Sequence, residues 1–201
     1  MKIKAALVMV VCLSLAITGL AFAKDAKNAK NVTPKQAYEM MQKDPSIYLI
    51  DIRSPWEFQF VGHIKGAYNI PFYFVSTKYT PKGQTYIFGG KAKVASKGRY
   101  QWIKNPDFSY WVGKLVNEDP NAKIVVYCRS SQRSPKAADK LVKRGYKNVY
   151  NIVEGFEGGF GKNPYLRMKE GWQKAGLPYQ YPDKVKTMDP KYTYQGLMVT
   201  K

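Results

Sequence analysis

The stretch Lys123-Ile124-Val125-Val126-Tyr127-Cys128-Arg129-Ser130-Ser131-Gln132-Arg133-Ser134-Pro135 decides the fold. Its first half is an unbroken apolar run, the pattern of a strand buried on both faces. A loop of small and cationic residues follows. Ser134-Pro135 then starts a helix with Ala137, Ala138, Leu141 and Val142 on one face and Gly145 as its stop. Upstream, Ile47-Tyr48-Leu49-Ile50 is a second apolar run and ends at Asp51; downstream, residues 148–153 form a third. Thr33-Pro34 reads as the N-cap and first position of a helix reaching about Asp44, with Ala37, Met40 and Met41 on one face. Strands alternating with helices predict an α/β domain with a central parallel sheet flanked by helices. In such sheets ligands gather at the carboxyl ends of strands, where Asp51 and Cys128 both fall.

The chain has 201 residues, 33 Lys+Arg against 14 Asp+Glu, a formal charge of +19, two cysteines and one histidine. At 45% hydrophobic residues it carries enough apolar mass for a core, which excludes global disorder. Its cysteines and histidine are too few for a structural zinc site of those ligands alone, or for a multi-bridge disulfide framework. The positive charge points to nucleic acid, a membrane surface or small anions. Lys2 and Lys4 precede an apolar stretch over 5–20, and Ala21-Phe22-Ala23 is a small-residue cleavage signal. Residues 1–23 are therefore expected to be a signal peptide, the run being short for a membrane span. Val11 before Cys12 argues against a lipoprotein site. Cleavage near Ala23 makes the protein periplasmic or secreted and leaves Cys128 as its one cysteine. Export removes nucleic acid as the default partner; small anions and an acidic or membrane-associated protein remain.

The expected mature chain has a flexible polar lead-in at 24–32 and one domain over 33–178. An insertion at about 72–118 is dense in lysine, glycine and aromatics, among them Tyr79, Tyr100, Trp102, Phe108 and Trp111. It is too long for an ordinary connection. Residues 105–117 are expected to be helical. The insertion reads either as a surface layer with its own apolar cluster or as a lid or partner surface near the site. The tail, 179–201, alternates Tyr, Pro and Lys and is expected to wrap the domain.

The chemistry concentrates at Cys128. Successive backbone N–H groups of a loop such as Arg129 to Ser134 can point inward, and the following helix adds its positive end. Arg129 and Arg133 add charge. Such surroundings lower a cysteine pKa from about 8.5 into a range of roughly 3.5–7.5 and make the thiolate a nucleophile. The alternative is an inert buried cysteine, the usual fate of a free thiol.

This loop, together with Asp51-Ile52-Arg53, Glu57-Phe58, Gly62-His63-Ile64-Lys65-Gly66-Ala67 and Asn69-Ile70-Pro71, resembles a single-domain rhodanese. Gly145-Tyr146-Lys147-Asn148-Val149-Tyr150, Glu154-Gly155 and Trp172-Gln173-Lys174-Ala175-Gly176-Leu177-Pro178 extend the likeness, which covers about 33–71 and 121–178. The resemblance implies a rhodanese-like fold and a sulfurtransferase. Cys128 would be the catalytic nucleophile, carrying sulfur as a persulfide from thiosulfate or polysulfide to a thiol, cyanide or sulfite. Arg129, Ser130, Ser131, Gln132, Arg133 and Ser134 would bind the donor, the two arginines attracting it. Asp51 and Arg53 would support the loop ends through ionic contacts. His63 would make a structural hydrogen bond, Glu57 would serve as a scaffold carboxylate, and Gly155 and Gly158 would permit a close approach to the loop. No cofactor or metal is expected. A second reading is a carrier that delivers sulfur, or another soft anion such as a selenium species, to a membrane enzyme with little turnover of its own. Four residues separate Cys128 from Arg133, a shorter ring than the C-x5-R loop of cysteine phosphatases, and this favours sulfur over phosphate.

Overall fold

A computed structural model describes residues 25–88, 91–94, 98–161, 167, 169–181 and 192; the expected signal peptide lies outside the described residues. In chain order the elements are β1 (Lys30–Val32), α1 (Pro34–Lys43), β2 (Tyr48–Asp51), α2 (Pro55–Phe60), β3 (Tyr68–Asn69), β4 (Tyr73–Thr80), β5 (Thr85–Phe88), β6 (Lys91–Val94), β7 (Arg99–Lys104), α3 (Phe108–Leu115), β8 (Lys123–Tyr127), α4 (Ser134–Arg144) and β9 (Asn148–Ile152). Five strands form one parallel sheet in the order β1-β9-β8-β2-β3. Ile50 of β2 faces Val126 of β8, and Val125 faces Tyr150 of β9.

Strand alternation divides the apolar residues between two cores. Ile50, Ile52, Ile124, Val126 and Cys128 face one side, where Phe108 and Val112 of α3 and Ala137, Ala138 and Leu141 of α4 cover them. Leu49, Val125 and Tyr127 face the other, covered by Ala37 of α1, Phe58 of α2, Phe156 and Trp172. The unbroken apolar runs thus reflect burial on both faces. Both helices of the second layer start on capping boxes, Thr33 with Gln36 and Ser54 with Glu57, each followed by proline.

The lead-in expected to be flexible is ordered and contributes a strand. β1 pairs with the free edge of β9, from Lys30 opposite Tyr150 to Val32 opposite Ile152. Ala26 and Ala29 are buried in the α3/α4 core. The Asp139 carboxylate accepts hydrogen bonds from the amides of Lys27, Asn28 and Ala29 at 2.7–3.2 Å. The edge of a sheet demands backbone partners whatever the side chains are.

The insertion is two antiparallel hairpins, β4 with β7 and, at the tip, β5 with β6. Its root is closed by Asn105, whose amide and side chain donate to the carbonyls of Phe72 and Pro71. The helix expected within it is α3, which belongs to the domain core through Phe108 and Val112. Of the tail expected to wrap the domain, 182–191 and 193–201 lie outside the described residues; at its start Gln180 exchanges two backbone hydrogen bonds with His63 at 2.8 and 2.9 Å.

Candidate active site

Cys128 stands one residue beyond β8, at the carboxyl end of the sheet, and is fully buried. Its Sγ accepts hydrogen bonds from the backbone N–H of Arg133 at 3.5 Å and of Ser134 at 3.4 Å. The Ser134 hydroxyl is buried and has no hydrogen-bond partner among the described residues. Burial pushes the Cys128 thiol up, but the Arg133 charge, the Ser134 hydroxyl and the two amides outweigh it and hold the thiol below its ordinary pKa. The loop closes this tightly because Ser131 takes a left-handed conformation, φ 52°, that turns the chain back toward α4.

Two neighbouring segments hold the loop. Asn151 of β9 donates to the Ser131 hydroxyl at 3.4 Å and to Asn31 of β1 at 3.0 Å, so the edge strand braces the loop through one amide. After β9 the chain passes beneath the loop, where Phe156 N–H donates to Cys128 O at 2.8 Å and Glu157 N–H to Arg129 O at 2.9 Å. These bonds take up the carbonyls of Cys128 and Arg129, while the amides of Arg133 and Ser134 reach the sulfur. Gly155 makes the approach possible: its φ is +71°, and a Cβ there would lie 2.6 Å from Cys128 O. Gly158, also at positive φ, donates its N–H to Arg129 O at 3.1 Å, while a Cβ there would run into the Glu170 carbonyl.

The two loop arginines differ. Arg133, expected to draw in a donor, closes its guanidinium on Glu57 in a bidentate pair at 2.6 and 2.8 Å, and lies 5.1 Å over the ring of Trp102 from β7. What reaches the sulfur is its amide and its field. Burial pushes the Glu57 carboxyl up, but Arg133 and the Ser54 amide hold it down, to about 2. Arg129 is half-buried, and among the described residues its side chain forms no ion pair. It is the loop cation left for an anion. Ser130 is half-buried and Gln132 exposed.

Asp51 and Arg53 are both fully buried at the end of β2. Arg53 Nη2 lies 2.7 Å from Asp51 Oδ2 and 2.6 Å from the Gly62 carbonyl, and the guanidinium covers the Phe156 ring at 4.4 Å. The ionic contact the resemblance implied is present, and Phe156 ties it to the segment beneath the loop. Arg53 Nη1 faces Glu157 Oε1 at 3.7 Å, and neither atom has a hydrogen bond among the described residues. Burial raises the Glu157 carboxyl above its ordinary pKa. His63 stacks on Phe58, with Nδ1 at 3.1 Å from Phe58 O and Nε2 at 3.1 Å from the Gln180 amide nitrogen. Both ring nitrogens are engaged, and burial lowers the ring pKa. Its role is to fasten the turn and the tail.

Glu157 and Asn151 are site residues absent from the sequence reading, and only Asn151 leaves a signal, as a polar residue inside the apolar run of β9. Trp102 reads there only as one of the aromatics of the insertion, and it reaches the loop over Arg133. Among the described residues, no group of His, Cys, Asp or Glu is placed to hold a metal ion, and no helix is long and apolar enough to cross a membrane.

The model of the rhodanese-like domain matches residues 33–161. The chain belongs to the rhodanese-like domain family. It is 30% identical over 154 residues to an uncharacterized protein of Rickettsia conorii, covering 77% of this chain and 99% of the relative. To the thiosulfate sulfurtransferase GlpE of Haemophilus influenzae it is 29% identical over 149 residues, covering 74% and 92%. The crystal structure of Rv0390 from M. tuberculosis superposes with a TM-score of 0.56 at 25% identity, covering 78% of this chain and all of that one. The rhodanese-like fold expected from the Cys128 loop and the D-x-R segment is the one found.

Proposed function

We propose that this rhodanese-like protein is a sulfurtransferase that carries sulfane sulfur on Cys128. The observation that carries the reading is the pair of backbone N–H groups at 3.4 and 3.5 Å from Sγ, in a loop whose unpaired cation is Arg129. The Cys128 thiolate attacks the outer sulfur of thiosulfate. A new S–S bond forms, the S–S bond of thiosulfate breaks, and sulfite leaves with its electron pair. Cyanide or a thiolate then attacks the outer sulfur of the persulfide, and the Cys128 thiolate departs. The loop amides stabilise negative charge at the sulfur in both steps, the electrostatic contribution that fixed donors make best. Arg129 holds the oxygens of the donor. The thiosulfate sulfurtransferases among the relatives support thiosulfate as donor, and polysulfide offers the same terminal sulfur. The apolar N-terminal run ending at Ala21-Phe22-Ala23 supports action outside the cytoplasm.

The test is thiocyanate formation from thiosulfate and cyanide. Wild type is expected to turn over with sulfite released one for one, and Cys128→Ser to fall to the uncatalysed rate. Equal rates in the two proteins would end the proposal. Complete burial of Cys128 favours a variant of the same reading, a carrier that keeps its persulfide for a specific acceptor. Slow turnover with cyanide alongside a stoichiometric persulfide would select it.

A further inference from the structure

Beside the candidate active site lies a second concavity, a cleft of about 920 Å³ between β7 of the insertion and α4. Lys136, Lys140 and Lys143 line one bank, and Lys104 stands on the other. The three α4 lysines recur at i, i+4 and i+7, hence on one face, in a row about 10 Å long at 1.5 Å rise per residue. None of the four forms an ion pair among the described residues. The single carboxylate lining the cleft, Asp139, is taken by the three lead-in amides. Burial and the charges of Lys104 and Arg144 push the Lys140 ammonium below its ordinary pKa, against the pull of Asp107, so the cations here repel one another. The wall between them is aromatic, from Trp102 and Tyr73.

We infer that this cleft docks an acidic, extended segment of a partner protein. A compact oxyanion is met elsewhere by an arginine fork or converging amides, whereas this cleft has four separated ammonium groups on flexible stems. In an extended strand, residues on one face recur about every 6.6 Å. Two or three carboxylates of such a segment match the lysine row, and an apolar side chain between them meets Trp102. The Trp102 ring also carries the guanidinium of Arg133, 5.1 Å from its centroid. A segment seated here is therefore held next to the Cys128 loop, where a partner would receive sulfur. That last role rests on the sulfurtransferase reading; the docking does not.

The experiment is fluorescence anisotropy of the full chain with a labelled peptide of alternating glutamate and leucine, and with its glutamine counterpart. The glutamate peptide is expected to bind, more weakly as salt rises. Loss of three exposed ion pairs in Lys104→Gln/Lys140→Gln/Lys143→Gln is expected to weaken binding about tenfold. A control, Lys35→Gln/Lys43→Gln/Lys65→Gln, removes the same charge from exposed positions outside the cleft and is expected to change binding less than about twofold. Thiosulfate:cyanide turnover is expected to persist in both triple variants, and its failure in wild type would strike the sulfurtransferase reading alone. Equal loss in the two triple variants, equal binding of the glutamine peptide, no binding at all, or displacement by tripolyphosphate at lower concentration than by unlabelled peptide would each overturn the docking proposal.

Discussion

Glu57→Gln tests how the loop is held. The Glu57 carboxylate and the Arg133 guanidinium are both largely buried, at 14% and 15% side-chain exposure, and meet at 2.6 Å. Glu57 falls from 4.5 to about 2 in the folded protein. At 1.36 kcal/mol per unit, that depression corresponds to about 3 kcal/mol of stability. Because the folded pKa is the lower one, this stability is present in full above pH 4.5 and is lost as pH falls toward 2. The substitution leaves Arg133 buried without its counter-charge, whose cost is of the same order, about 3–5 kcal/mol. Urea unfolding at pH 7 is expected to show wild type more stable than Glu57→Gln by about 3 kcal/mol, and at pH 3 the difference is expected to shrink to under about half. Adding Arg133→Gln to Glu57→Gln is expected to cost less than the two single losses together. A difference that stays constant between pH 7 and pH 3, or one below about 1 kcal/mol at pH 7, would refute the assignment of Glu57 as the anchor of the loop.

Four further outcomes follow. Arg133→Gln removes the largest influence lowering the Cys128 pKa, so the profile of iodoacetamide alkylation rate against pH is expected to move upward; an unmoved profile would contradict the electrostatic account. Arg129→Ala is expected to raise the KM for thiosulfate by about tenfold, the worth of one charge-assisted contact, with the alkylation profile in place. Gly155→Ala puts a Cβ 2.6 Å from Cys128 O at positive φ, and is expected to destabilise by more than about 1 kcal/mol in urea while slowing turnover. Asp139→Ala leaves three amides without their acceptor, and trypsin is expected to cut at Lys27 and Lys30 under conditions where wild type is spared.

The parts of this fold that are legible in the sequence are those set by local pattern. The apolar runs ending at Asp51 and Cys128 face two cores at once, so burial on both sides is written into consecutive residues. The turn Ser134-Pro135 and the stop at Gly145 bound α4 as expected. β1 was illegible because its role comes from the open edge of β9, not from its own polar residues. The insertion reads only as a long aromatic stretch, since nothing local announces that Trp102 will lie over Arg133. The same holds inside the site. Cys128 and its loop are contiguous and stand out, whereas Glu57 meets Arg133 across 76 positions and Asn151 meets Ser131 across 20. Nothing local in the sequence announces that the Arg133 guanidinium pairs with Glu57, which leaves Arg129 as the loop cation without an ion pair among the described residues.

The central claim is that Cys128 itself holds the transferred sulfur. Intact mass after incubation with thiosulfate tests it most directly. Wild type is expected to gain one sulfur, lose it on addition of cyanide, and yield a modified peptide containing Cys128, while Cys128→Ser stays unchanged. A wild-type protein that gains no sulfur, or a Cys128→Ser protein that gains as much, would contradict the account.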